Sequence, residues 1–190
     1  MSAEAHRHRV CPVWMGYLLA LPLRRLVQNP ARVLGACVTP GMAVADIGCA
    51  MGYFSLPLAR RVGPRGRVVC VDRQPGMLRA LERRAARAGL RERIETRACE
   101  AETLGLSDLT GQIGFALAFA VVHEAPDAGR FLGEIASILK PGGLLLVAEP
   151  RAHVSGEAFG ATIEAAERAG LRIESRPSIP ASRSALFRRP

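Results

Sequence analysis

At 190 residues the chain has the length of one α/β domain with a sizeable core, and no linker composition divides it. Its formal charge of +9 rests almost entirely on arginine, because Lys140 is the only lysine; this surface attracts anions, although the arginine bias also follows from overall composition. No run of five or more basic residues occurs, few aromatics are available for base stacking, and five cysteines without CxxC spacing indicate neither a disulfide framework nor a zinc knuckle, so nucleic acid is a disfavoured partner and a reduced, cytoplasmic location is expected.

Residues 1–9 read as solvated. The segment 10–23, "VCPVWMGYLLALPL", is apolar but too short to span a bilayer, and Pro12 and Pro22 interrupt it, so no transmembrane segment or signal peptide is expected. Trp14, Tyr17, Leu18 and Leu21 recur at helical spacing. Residues 1–30 are therefore expected to form an N-terminal arm with a packing or lid helix over a domain spanning 31–190. A dimer contact, which leaves a homodimer open, and a membrane-surface helix with Leu18, Leu19 and Leu21 toward acyl chains are the alternatives. Asn29 followed by Pro30 caps a helix expected to run to about residue 38.

From there the pattern is regular. Apolar strands are expected at 42–47, 67–71, 93–97, 113–119 and 143–148, alternating with helices at 54–62, 75–88, 127–139 and 156–169. Gly89 and Gly170 stand where helices should end. Two last strands, 171–176 and 184–188, have no helix between them and must pair antiparallel. The fold class is α/β: a Rossmann-like, doubly wound, mostly parallel seven-stranded sheet with an antiparallel C-terminal edge hairpin.

In such a sheet the ligand lies beyond the carboxyl ends of the strands. The stretch "VADIGCAMGYFS" puts Asp46, Gly48 and Gly52 there, where glycines allow a tight turn and close approach of a ligand. Asp72 ends the second strand, placed to accept hydrogen bonds from ribose hydroxyls, so a nucleoside cofactor is expected. A dinucleotide fingerprint would need glycines where Ala50 and Tyr53 stand, which disfavours a pyrophosphate. Asp46 instead suits a cation such as an ammonium or sulfonium, and S-adenosylmethionine carries both.

Over 41–188 the chain resembles the class I S-adenosylmethionine-dependent methyltransferases, notably the small-molecule group that includes the ubiquinone and menaquinone methyltransferases. The segments carrying the resemblance are "VADIGCAMGYFSLPLA", "VVCVDRQPGML", "CEAETLGL", "FALAFAVVHEAPD" and "LKPGGLLLVAEP". It implies that Asp46, Gly48, Cys49, Ala50 and Gly52 line the methionine and ribose, that Asp72 binds the ribose, and that Arg73 and Met77 flank the adenine. Glu100 would face the adenine amino group with the Ala101 amide near the ring, and Phe119 would complete the cofactor site. Two positions depart from the family pattern: Ala50 replaces a middle glycine, and Gly114 replaces an aspartate opening the fourth strand.

Methyl transfer from a sulfonium asks the protein to align an acceptor and, where needed, remove its proton. His123, Glu149 and His153 stand at the ends of the fourth and fifth strands, and His123 is the first candidate for a base or acceptor-positioning group. Irregular spacing argues against a metal at these residues, or at His6, His8 and Cys11. The expected activity is methyl transfer from S-adenosylmethionine to a small-molecule acceptor; an RNA methyltransferase and a non-catalytic S-adenosylmethionine-binding protein are the alternatives.

Overall fold

The computed structural model describes residues 28–35 and 37–190. Of the arm expected over 1–30, residues 1–27, with His6, His8, Cys11, Trp14, Tyr17 and Leu18, lie outside them. The Asn29 side chain accepts from the Ala31 amide at 2.9 Å and Pro30 fills the first turn, which opens helix α1 (Pro30–Leu34). The helix ends at Leu34 and not near residue 38, because Gly35 turns to φ +47 and leads the chain out.

The remaining elements are β1 (Ala43–Ile47), α2 (Ser55–Val62), β2 (Arg67–Asp72), α3 (Pro75–Arg87), β3 (Ile94–Ala98), β4 (Ile113–Phe119), α4 (Ala128–Ile138), β5 (Leu139–Pro150), α5 (Gly156–Arg168), β6 (Arg172–Ser175) and β7 (Ser182–Arg188). Asp127 and Ser155 cap α4 and α5 through their side chains. Helices α3 and α5 both close through a left-handed glycine. Gly89 and Leu90 donate back to Ala86 and Ala85, and Gly170 and Leu171 to Glu167 and Ala166, so the last carbonyls are satisfied.

The strand order is β3-β2-β1-β4-β5-β7-β6; β1 to β5 are parallel, and β7 pairs antiparallel with both β5 and β6. Every residue of β4 is buried, as a central strand covered on both faces requires. Helices α1, α2 and α3 pack over one face on Val44, Val68, Phe115 and Leu117, while α4 and α5 cover the other on Ala45, Val69, Ala116 and Leu145. Strand β5 starts earlier than its apolar run suggests. Leu139 already pairs with Ile113, and the "KPGG" segment is absorbed as an irregularity in the ladder, with Gly142 at φ +74.

Candidate active site

β1 and β4 carry crossovers leading to opposite sides, so the crevice opens between their carboxyl ends. Leaving β1, the amides of Gly48 and Cys49 both donate to the Val71 carbonyl, at 2.8 and 3.0 Å, folding the loop back over β2. Gly48 has φ +72, and a Cβ there would lie 2.6 Å from Val121 Cγ2; Gly52 has φ +80, and its Cβ would collide with Leu81. Both glycines are thus demanded by backbone conformation and by packing. Ala50 between them also sits at positive φ, +46, which costs an L-residue about 1 kcal/mol. Replacing Ala50 by glycine is expected to raise stability by up to about 1 kcal/mol, read as a higher thermal midpoint.

The loop is tied to the second strand by Asp72. One carboxylate oxygen accepts from the Ala50 amide and the other from the Gln74 amide, each at 2.8 Å. Burial pushes the Asp72 carboxyl up from its ordinary value, against the pull of those amides and of Arg73. Asp46 is 3% exposed and accepts from the Ser55 hydroxyl at 2.5 Å. Cys49 is buried, and its thiol is driven well above the ordinary value by burial and then by the neighbouring Cys70, which leaves it protonated.

The other expected cofactor residues surround this loop. Met77 is buried against Met51 and Ala80 beneath Ala50. Arg73 is exposed beside Asp72. The Cys99 amide donates to the Asp72 carbonyl at 3.3 Å, bringing exposed Glu100 and half-buried Ala101 to the same edge. The Phe119 ring packs on Phe54 with centroids 4.7 Å apart. Gly114 lies at the opposite end of β4, against Met42 and Lys140, so the missing aspartate is remote from the crevice.

After β4 the chain turns through Ala120 at φ +57 into a short 3-10 turn, Val122–Glu124. Glu149, 1% exposed at the end of β5, organises it. Its Oε1 accepts from the amides of Val121 and Val122 at 3.2 and 2.8 Å, and its Oε2 is hydrogen-bonded to His123 Nδ1. Since a carboxylate only accepts, Nδ1 carries the proton and Nε2 keeps its lone pair. The bond to Glu149 raises the His123 pKa, and burial partly opposes it. His153 meets His123 edge to face with centroids 5.8 Å apart. Its turn is tethered by Arg151 to the Ser182 carbonyl and by Arg183 to the Val154 carbonyl, both at 3.0 Å.

The structure therefore gathers Asp46, Gly48, Cys49, Ala50, Gly52 and Asp72 around one loop, and His123, Glu149 and His153 into a second cluster. Sequence reasoning missed two connections: Ser55 satisfies Asp46, and Val121 packs on Gly48. Neither has a local signal, because each joins separate elements. Glu124, beside His123 in the same turn, has its pKa raised by burial and stands within the fields of His123, Asp72 and Glu149. Among the described residues no three metal-binding side chains converge as a ligand set.

A narrow loop with left-handed residues, a carboxylate closing β2 and a buried carboxylate below the loop fit a compact, cationic nucleoside better than a diphosphate. These features define a Rossmann-like nucleoside-binding domain. The chain belongs to a methyltransferase-domain family whose model matches residues 38–172. It is 36% identical over 115 residues to the ubiquinone/menaquinone biosynthesis C-methyltransferase of Bordetella parapertussis, covering 60% of this chain and 43% of that one. It is 31% identical over 140 residues to the ubiquinone biosynthesis O-methyltransferase of Bradyrhizobium sp. strain ORS 278, covering 74% and 51%. The chain spans about half or less of the length of these curated relatives. A S-adenosylmethionine-dependent methyltransferase from Aquifex aeolicus has the same fold, with TM-score 0.83 at 22% identity over 95% of this chain and 100% of that one. Aeropyrum pernix fibrillarin, solved with natively bound S-adenosylmethionine, superposes with TM-score 0.62 at 19% identity over 92% and 76%. Among the described residues no helix is long and apolar enough to cross a membrane.

Proposed function

We propose that this methyltransferase-domain protein transfers a methyl group from S-adenosylmethionine to a small-molecule acceptor whose reacting atom is placed by His123. The observation that carries the reading is the fixed His123–Glu149 pair at the mouth of the crevice, with Glu149 also held by two backbone amides. The names of the quinone-pathway relatives and the short, tethered turn above β5 favour a small acceptor.

S-adenosylmethionine supplies an electrophilic methyl group on a positively charged sulfur. On the protein side, Asp72 would take the ribose hydroxyls, Glu100 and the Ala101 amide would read the adenine edge, and Arg73 and Met77 would bound the base. Asp46 and the backbone of Gly48, Cys49, Ala50 and Gly52 would hold the methionine end, with Phe119 completing the site. His123 removes the acceptor's proton at Nε2, and the resulting imidazolium is stabilised by Glu149. His153 lines the acceptor side. Residues 31–190 form the catalytic domain, and just ahead of it the Gln28 carbonyl accepts from the Tyr53 hydroxyl at 2.7 Å.

Labelled methyl transfer to a panel of phenols, thiols, amines, carboxylates and RNA tests the acceptor class: transfer to RNA alone would overturn it. Because His123 must be neutral to accept a proton and its pKa is raised above 6.5, turnover is expected to rise with pH to an inflection above that value. His123→Ala is expected to lower kcat by about 10²- to 10³-fold while the affinity for S-adenosylhomocysteine changes by less than about threefold. Equal turnover in the variant would remove the assigned role.

A further inference from the structure

Strand β3 ends at Ala98, and residues 99–106, which precede the short 3-10 turn Ser107–Leu109, have no helix or strand of their own. This segment carries Glu100 and Ala101 at the edge of the crevice beside Asp72. Apolar packing fixes only its far half. Leu104 and Leu106 are buried in the core with Leu132 and Ile135 of α4, whereas Glu100 is exposed and Ala101 half-buried. The near half depends on hydrogen bonds for its shape.

Glu134 on α4 supplies the anchor for them. Its Oε2 accepts from the Leu104 amide at 2.7 Å and from the Thr103 hydroxyl at 3.0 Å. With its proton given to Glu134, the Thr103 hydroxyl oxygen accepts from the Gly105 amide at 3.2 Å, where Gly105 turns the chain at φ +64. The Thr103 carbonyl in turn accepts from the Glu100 amide at 3.1 Å, so a hydrogen-bonded relay runs from Glu134 through Thr103 to Glu100. On the other side of Glu100, the Cys99 amide is bonded to the Asp72 carbonyl. Residues 100–102 are thus suspended between β2 and α4. The ion pair of Glu134 with exposed Arg130, at 3.6 Å, contributes little by comparison, so the turn is what this carboxylate serves.

We propose that Glu134 is a positioning residue for cofactor selectivity: through Thr103 it sets the spacing of the Glu100 carboxylate and the Ala101 amide, and with it the preference for adenine over other purines. This rests on the proposed reading of the adenine edge by Glu100 and the Ala101 amide. Adenine offers its amino group to a carboxylate and a ring nitrogen lone pair to an amide. Hypoxanthine has nearly the same shape but puts a carbonyl oxygen before the carboxylate and an N–H before the amide, so both contacts are mismatched. The mismatch excludes the wrong base only where the turn cannot move aside, and the relay from Glu134 is what holds it.

Calorimetry of the full chain with S-adenosylhomocysteine and with its hypoxanthine analogue, S-inosylhomocysteine, tests this. The wild-type protein is expected to prefer the adenine ligand by about 10²-fold. Glu134→Ala is expected to lower that preference by about tenfold, mainly through weaker binding of S-adenosylhomocysteine. Glu134→Gln keeps an oxygen for Thr103 and Leu104 and is expected to hold the preference within about threefold of wild type. Thr103→Val removes the hydroxyl at nearly constant shape and is expected to fall between the two; it carries the comparison should the alanine variant not fold. An unchanged preference in Glu134→Ala or Thr103→Val would overturn the proposal and leave the adenine assignment standing, and so would equal weakening of both ligands. A wild-type protein that binds the two ligands alike, or a Glu100→Gln variant with undiminished preference, would instead remove the adenine assignment and the proposal with it.

Discussion

Glu149→Gln is expected to lower kcat by about 10²- to 10⁴-fold with little change in cofactor affinity, although the two side chains have nearly the same shape. In the wild-type protein Oε1 accepts from the Val121 and Val122 amides and Oε2 faces His123 Nδ1. A glutamine keeps its oxygen on the two amides, since those donors need an acceptor, and so presents its NH2 to the imidazole. Nδ1 must then accept, the ring proton moves to Nε2, and the atom that should take the acceptor's proton has none of its lone pair free. The carboxylate that supports the imidazolium is lost at the same time. Because the Glu149 hydrogen bond is the largest influence raising the His123 pKa, residual activity should show its inflection at lower pH than the wild type. Glu149→Leu separates this from mere structural damage. It leaves two amides without a partner, at about 1–3 kcal/mol each, and should lower the thermal midpoint where glutamine barely moves it. A glutamine variant with wild-type kcat and an unshifted pH profile would reduce Glu149 to a loop anchor.

Charge linkage at the same pair gives the sign of its contribution to stability. A histidine whose pKa is raised by folding stabilises the native state fully below its unfolded pKa near 6.5, and that contribution fades as pH rises through the folded value. The pair therefore strengthens the loop most in the pH range where His123 is least able to act as a base. Activity and stability at this site are expected to follow opposite pH trends.

What the sequence makes legible is whatever repeats locally. The alternation of apolar runs with helical spacing located the strands and helices to within a few residues, because buried parallel strands are apolar throughout and the capping residues Asn29, Gly89 and Gly170 act on their immediate neighbours. The end of α1 and the start of β5 were misplaced for a complementary reason. Gly35 closes a helix whose apolar pattern continues, and Leu139 enters the ladder through pairing with Ile113, a partner far away in sequence. At the site, Asp46, Gly48, Gly52 and Asp72 are legible because each sits at a strand end that fixes its place. Gly114 departs from the family pattern, yet it stands at the far end of β4, where a Cβ would meet the side chains of Met42 and Lys140. The Val121 contact on Gly48 is illegible, since it depends on how closely the β4 loop approaches the β1 loop. That contact joins the acceptor side to the cofactor side, and Glu149 holds it in place through the Val121 amide.

Asp72→Ala is expected to weaken S-adenosylhomocysteine binding by about 10²-fold while leaving the ligand-free protein nearly as stable as before. The affinity falls because a carboxylate accepting from neutral donors makes bonds about twice as strong as neutral pairs, and alanine offers none. Stability changes little because two effects oppose each other. The Ala50 and Gln74 amides lose their acceptor, but the buried charge is removed, and burial is what dominates the raised pKa of Asp72. Thermal unfolding with and without ligand resolves the two. At a ligand concentration about 100 times the wild-type Kd, binding adds about 2.7 kcal/mol to the wild-type stability and only about 0.4 kcal/mol to a variant bound 100-fold more weakly. If the ligand-induced shift survives in Asp72→Ala, the carboxylate serves only to pin the Ala50 loop, and the ribose must be held by other groups. If the ligand-free variant unfolds several degrees earlier, the two amide bonds outweigh the cost of burying the charge.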